Sequence, residues 1–140
     1  MNHLVFLDSH AGELEKIRSE VKTMILKVFD PEKPSVHPVI PGDSLYFLRN
    51  QDGCTVRVKA TVVRVLPYMN SLSKDRSQIL KEMQPRLQLT EYQFAYWSEK
   101  CHLLLVEFNS AQKIAAIHIA PNKIEDRSDW IAFDDSSLIT

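Results

Sequence analysis

The residues best suited to chemistry are few and scattered. Lys22 is followed directly by Thr23. A lysine offers a point charge for a phosphate or a polarised carbonyl, and a threonine hydroxyl both donates and accepts. The competing reading is an ordinary lysine near a helix end, favoured by the helix dipole. Arg57 and Lys59 alternate with apolar residues and share a strand face with Thr55 and Thr61. Such a stripe can follow a sugar–phosphate backbone, or it is the solvent face of an amphipathic strand. Tyr92, Phe94, Tyr96 and Trp97 form an aromatic cluster; exposed rings stack on bases, whereas Phe94 and Trp97 are expected in the core. His3, His10, His37, His102 and His118 show no metal-ligand spacing with one another or with Cys54 and Cys101. His118, on one face with Ile114 and Ala116, is read as a satisfied core histidine. Three distant glycines make no phosphate loop, and no local signature of a nucleophile elbow or Cys/His pair is present. No metal and no cofactor are expected.

The stretch that must hold these groups in place runs from Pro41 to Leu66. Pro41-Gly42 is a type II turn signal: proline presets φ and glycine accepts the positive φ that follows. Asp43 is placed to bond nearby backbone N–H groups. Leu45 and Phe47 face one way and Tyr46 and Leu48 the other, so a strand covered on both sides is predicted. Asn50–Gly53 reads as a hairpin loop. In the return strand, Val56, Val58, Ala60 and Val62 alternate with Thr55, Arg57, Lys59 and Thr61. The phase flips at Val62-Val63, which predicts a β-bulge and a curled sheet.

Before it, Leu4–Leu7 is a short strand, with Asp8 or Ser9 as cap of a helix carrying Leu14, Ile17 and Val21 inward and Glu13, Glu15, Lys16 and Arg18 outward. Met24–Phe29 is a second strand, and residues 30–41, with four prolines, are an extended loop. After it, Ser71 or Ser73 caps a helix with Leu72, Ile79, Leu80 and Met83, which Pro85 ends or kinks. Thr90 and Gln93 have capping-box spacing and start a short helix. His102–Phe108 and Ile114–Ile119 are read as two strands, and Trp130–Phe133 as a last short one.

At 140 residues, 44% hydrophobic and 25% charged, the chain is expected to form one domain, residues 1–140. No apolar run reaches the roughly 18 residues of a membrane span, and the first ten residues lack the pattern of a secretory leader; a cytoplasmic location with no membrane partner is the expectation. The cysteines are read as thiols. A net charge of −1 speaks against indiscriminate nucleic-acid binding. Locally, residues 49–64 carry four basic side chains against one acid, and residues 125–135 carry five acids against Arg127.

The order of these pieces resembles the ASCH group of PUA-like domains, in its small bacterial members. The pieces are Lys22-Thr23-Met24-Ile25-Leu26-Lys27 after a helix, the Pro41-Gly42-Asp43 turn entering Leu45-Tyr46-Phe47, and the valine-rich strand. The stretch from Leu87 to Phe94, Trp97, and Leu104 to Phe108 complete the match, which spans most of residues 10–110. The resemblance implies a pseudo-barrel linked mainly to RNA, with a cleft beside it lined by the segment 22–27 and holding a polar ligand. The chain departs from the family pattern in having Glu20-Val21 where a glycine usually precedes the Lys-Thr pair, and Lys27 where many members have arginine. One branch deacetylates acetylated cytidine with a lysine, the second threonine of Lys-Thr-x-Thr and a glutamate. Lys22 matches, Met24 replaces that threonine, and Glu82 is the nearest acid.

The expected fold is therefore mixed α/β: a PUA-like, curled, mostly antiparallel β-barrel of about six strands with two to three flanking helices. The leading functional expectation is a non-catalytic module binding RNA or a nucleotide. Its ligand-binding residues are Lys22, Thr23, Lys27, Asp43, Arg57, Lys59, Tyr92, Tyr96 and Trp97, centred on the cleft behind the Pro41–Asp43 turn. A hydrolase of a modified nucleoside using Lys22, and an interaction domain using the acidic stretch with Asp134 and Asp135, are the alternatives.

Overall fold

A computed structural model of the chain describes residues 2–7, 11–29, 32, 38–49, 55–68, 73–100, 102–119 and 130–133. The described elements follow the order β1 (Asn2–Leu7), α1 (Glu13–Arg18), β2 (Met24–Val28), β3 (Ser44–Arg49), β4 (Thr55–Tyr68), α2 (Ser73–Leu87), α3 (Glu91–Ser98), β5 (Leu103–His118) and β6 (Trp130–Phe133). The six strands form one sheet in the order β2-β5-β4-β3-β1-β6. Every pair is antiparallel except β1 with β3. The sheet curls into a half-barrel, and its two edges approach each other: Lys27 of β2 places its ammonium 5.2 Å from the centre of the Trp130 ring of β6.

The turn before β3 forms as its sequence dictates. Asp43 N donates to Ile40 O at 3.1 Å, Gly42 has φ 95°, and Ile40 N donates to Asp43 Oδ2 at 3.0 Å. β3 is buried on both faces, with Leu45, Phe47 and Leu48 each at most 1% exposed. In β4, Val56, Val58, Ala60 and Val62 are buried, and a register shift falls between Val62 and Arg64, where the phase flips, with two more nearer the strand start. These bulges bend β4 around the main core of Val5, Leu14, Ile17, Phe47, Val58, Val106 and Phe108. A second core, with Met24, Leu26, Leu80, Leu87, Leu103 and Leu105, lies between the sheet and the helices α2 and α3.

Several expectations are corrected. His102–Phe108 and Ile114–Ile119 are not two strands; β5 runs unbroken for 16 residues. From Asn109 onward it is mostly exposed, so the apolar pattern breaks although the pairing with β4 continues. The helix before Lys22 stops at Arg18, and Val21 is 49% exposed instead of packing inward. Its N-cap is Gly12, with no side-chain cap, while Asp8 and Ser9 lie outside the described residues. Pro85 does not end α2 but lies inside its last turn, and the helix continues to Leu87. His118 is exposed and shares a 3.1 Å hydrogen bond with the Thr55 hydroxyl. Asn50–Gly53, Ser71, Leu72, Cys54, Cys101, Asp134 and Asp135 are outside the described residues, as is most of the proline-rich loop.

Candidate functional site

The site is built where the α1–β2 connection meets the helices. Past α1, Lys16 O accepts the N–H groups of Val21 and Lys22, each at 3.0 Å. Glu20 takes a left-handed backbone, φ 65°, which costs a non-glycine residue about 1–2 kcal/mol. A glycine at this position would suit the conformation. Thr23 is then held from both sides: its N–H donates to Arg86 O at 2.9 Å and its carbonyl accepts from Phe108 N at 3.0 Å. The result drives the Lys22 side chain inward, where it is 2% exposed, and its ammonium donates to Leu87 O at the end of α2.

Two polar partners complete the floor. Glu13, in the first turn of α1, is 8% exposed and accepts a hydrogen bond from Gln93 Nε2. Gln93 also accepts from Thr90 N through Oε1 at 3.1 Å, while its own N–H donates to the Thr90 hydroxyl at 3.2 Å. The capping box thus both starts α3 and fastens it to α1. Trp97 follows one turn later on the same side of α3. Across the gap, β6 supplies Trp130 and β2 supplies Lys27. Together these groups, with Val5, Leu7, Ile25 and Leu89, line a cleft of about 70 Å³.

The charges in this cleft are unusual. Burial lowers the Lys22 pKa from 10.5 to about 8; the Glu13 carboxylate works the other way and Lys16 adds a little to the lowering. A minority of Lys22 is therefore a neutral amine near pH 7.5. Behind Trp130 lies a second buried group. His3 Nε2 and Asp43 Oδ2 are 2.8 Å apart, and Trp130 Nε1 donates to His3 Nδ1 at 3.1 Å. Burial pushes His3 below its ordinary value despite the Asp43 carboxylate. For Asp43 burial acts upward, but the hydrogen bonds from His3 and Ile40 outweigh it and hold the carboxyl below its ordinary range.

Of the residues singled out in the sequence, the structure brings Lys22, Lys27 and Trp97 into one cleft. Thr23 faces elsewhere, lining with Ile17, Asn109 and Ser110 a separate hollow of about 220 Å³ that Lys22 also borders. Asp43 does not line the cleft; it reaches it only through His3 and Trp130. This cleft is accordingly not directly behind the Pro41–Asp43 turn. Arg57 is exposed on β4, and Lys59 lies over the Tyr46 ring at 5.5 Å; neither lines the cleft. Arg64 is committed to Glu107, which also pairs with Arg86, at 3.3 and 3.2 Å. Tyr92 is 79% exposed, and Tyr96 packs against Lys100 at 4.3 Å, both away from the cleft. Phe94 and Trp97 pack on the second core as expected. Met24 is fully buried there, and Glu82 is exposed on α2, bonded to Gln78 at 3.2 Å. The acid beside Lys22 is Glu13.

Glu13, Gln93, Trp130 and His3 are the functional candidates that sequence reasoning missed. The capping box announced Gln93 but not its second bond. Among the described residues, no group of His, Cys, Asp and Glu is arranged to hold a metal ion, and no helix is long and apolar enough to cross a membrane.

Among solved structures the chain is similar to ASCH from Zymomonas mobilis, at 9% identity and a TM-score of 0.68, over 96% of this chain and 88% of that one. A Tyr-to-Phe mutant of the same protein aligns at 10% identity and TM-score 0.68 over 96% and 91% of the two chains. A Ser-to-Ala mutant aligns at 12% identity and 0.68 over 96% and 89%. No protein-family model matches the chain, and no curated protein sequence matches it. The chain has the ASCH fold; at these identities the likeness carries the architecture and not the chemistry.

Proposed function

We propose that this chain is a PUA-like module that binds RNA, or a nucleotide within it, in the cleft between α1, β2, α3 and β6. The supporting observation is the composition of that cleft: a buried ammonium and a buried carboxylate on the floor, two indoles on the walls and a second lysine at the open edge of the sheet. Indole faces stack on a base. Lys22 and Glu13 offer a donor and an acceptor to its hydrogen-bonding edge, and Lys27 is placed for a phosphate. The volume fits the edge of one planar group rather than a whole ligand, since drug-sized pockets run to about 300–1,000 Å³. A bound nucleotide would therefore lie with its sugar and phosphate outside.

The test is titration with labelled single-stranded and structured RNA at two salt concentrations. Binding that weakens with salt, and falls at least tenfold in Trp97→Ala and Lys27→Ala, supports the proposal. Absence of binding at low salt overturns it.

A second reading, a hydrolase of a modified nucleoside, is favoured by one observation: the Lys22 amine, shifted to about 8, stands beside Glu13, as a general base would. Against it, the hydroxyl that the deacetylating branch uses is replaced by the buried Met24. A panel of acylated nucleosides that is turned over by the wild type and not by Lys22→Met would establish this reading.

A further inference from the structure

Trp130 is held by a bond whose direction can be worked out. An indole N–H only donates, so the Nδ1 of His3 that receives it, at 3.1 Å, carries a lone pair. The proton of neutral His3 is then on Nε2, which donates to Asp43 Oδ2 at 2.8 Å. The arrangement is complete only with His3 neutral. A second proton has one place to go, Nδ1, where it meets the indole N–H head on.

We propose that His3 and Asp43 are positioning residues that fix Trp130 as a wall of the cleft, and that proton uptake by His3 releases that wall. Protonation strengthens the His3–Asp43 contact into an ion pair while breaking the Trp130 bond. The imidazolium side is therefore tied to β1 and the turn before β3, and the part that moves is the indole. β6 is the element to yield: it is four residues long, sits at the sheet edge and pairs only with β1. The other charges acting on His3 are Lys27 of β2 and the amino terminus ahead of β1, both opposing its protonation, against Asp43, which favours it. The described residues of β6 include no titratable group. Lys27, whose ammonium lies over the indole, would lose that contact in the same step, so the rim charge and the stacking wall are released together.

The experiment follows the indole N–H signals of the full chain by ¹⁵N–¹H NMR from pH 7.5 to 4.5. The chain has two tryptophans, and Trp130→Phe assigns them. The Trp130 signal is expected to shift through one transition centred below the ordinary histidine value of 6.5, with the Trp97 signal moving less. The transition should vanish in His3→Gln, which stays neutral, and move to lower pH in Asp43→Asn. A Trp130 signal that is constant while the fold persists overturns the proposal, as does a transition that survives in folded His3→Gln, or acid unfolding before any Trp130 transition. This readout requires no ligand, so its outcome is separate from whether the cleft binds RNA. If both hold, RNA affinity falls through the same midpoint.

Discussion

Replacing Lys22 with methionine probes the energetics of the cleft directly. In the unfolded chain the amine titrates near 10.5, and in the fold near 8. The folded state therefore binds fewer protons than the unfolded state between those values, and stability must rise with pH across that window. Below pH 8 the fold carries a desolvated cation; at 1.36 kcal/mol per pH unit the interval amounts to about 3 kcal/mol, most of which is recovered by pH 10. Lys22→Met keeps the length of the side chain and removes the titration. It also leaves Leu87 O without its donor, a cost of about 1–3 kcal/mol, and takes the cation from beside Glu13. The absolute change at pH 7 is thus a small difference of opposing effects, and the slope is the informative quantity. Urea unfolding of both proteins between pH 7 and pH 10 should show the wild type gaining about 2–3 kcal/mol relative to the variant. A difference that stays flat would refute the reasoning: the Lys22 amine would then be hydrated in the fold, and the cleft too wet to hold a base edge by Lys22 and Glu13.

Other outcomes follow from named contacts. Thr90→Ala removes the cap of α3 and should cost about 1 kcal/mol; a Thr90/Gln93 double-mutant cycle should show coupling, because one glutamine serves both the cap and Glu13. Glu20→Gly should stabilise the fold by about 1 kcal/mol in denaturant unfolding, since it relieves the left-handed backbone. Leu80→Ala, in the second core, should cost about 2–5 kcal/mol by the same measurement. Arg57→Ala and Lys59→Ala should leave RNA affinity and its salt dependence unchanged if the cleft is the site; a slope reduced by about one for each would place the phosphate backbone on β4 instead.

Much of the architecture was legible because it rests on local rules. The flip at Val62-Val63 marks a bulge, the Pro41-Gly42 pair forms its turn, and Thr90 and Gln93 form their box. Where burial varies along one element, the pattern misled: β5 is apolar near Leu103–Phe108 and wet beyond Asn109, so one strand was read as two. The lining of the candidate cleft was half legible. Lys27 came from the family resemblance, and Lys22 and Trp97 from their side-chain chemistry together with it, whereas Arg57, Lys59, Tyr92 and Tyr96 lie away from the cleft. Glu13 looked like one more acid on the wet side of α1; its burial depends on Gln93, 80 residues away. His3 owes its meaning to Asp43 and Trp130, 40 and 127 residues distant, a relation that no spacing rule reports.

The parallel β1–β3 pair and the antiparallel β1–β6 pair put a strand from each end of the described chain side by side. During synthesis β1 emerges first and β6 only after the helices and the long β4–β5 ribbon have been made. From β6 the first core takes only Trp130 at its margin, and a third cluster, of Leu4, Leu48, Val56 and Ile119, takes only Ile131, so a nascent chain halted before residue 130 already holds most of what packs. It lacks the indole wall, and His3 and Asp43 face an open edge. Completion of the cleft is thereby a late event in the life of each molecule, and a nick ahead of β6 would leave a folded body without a finished site.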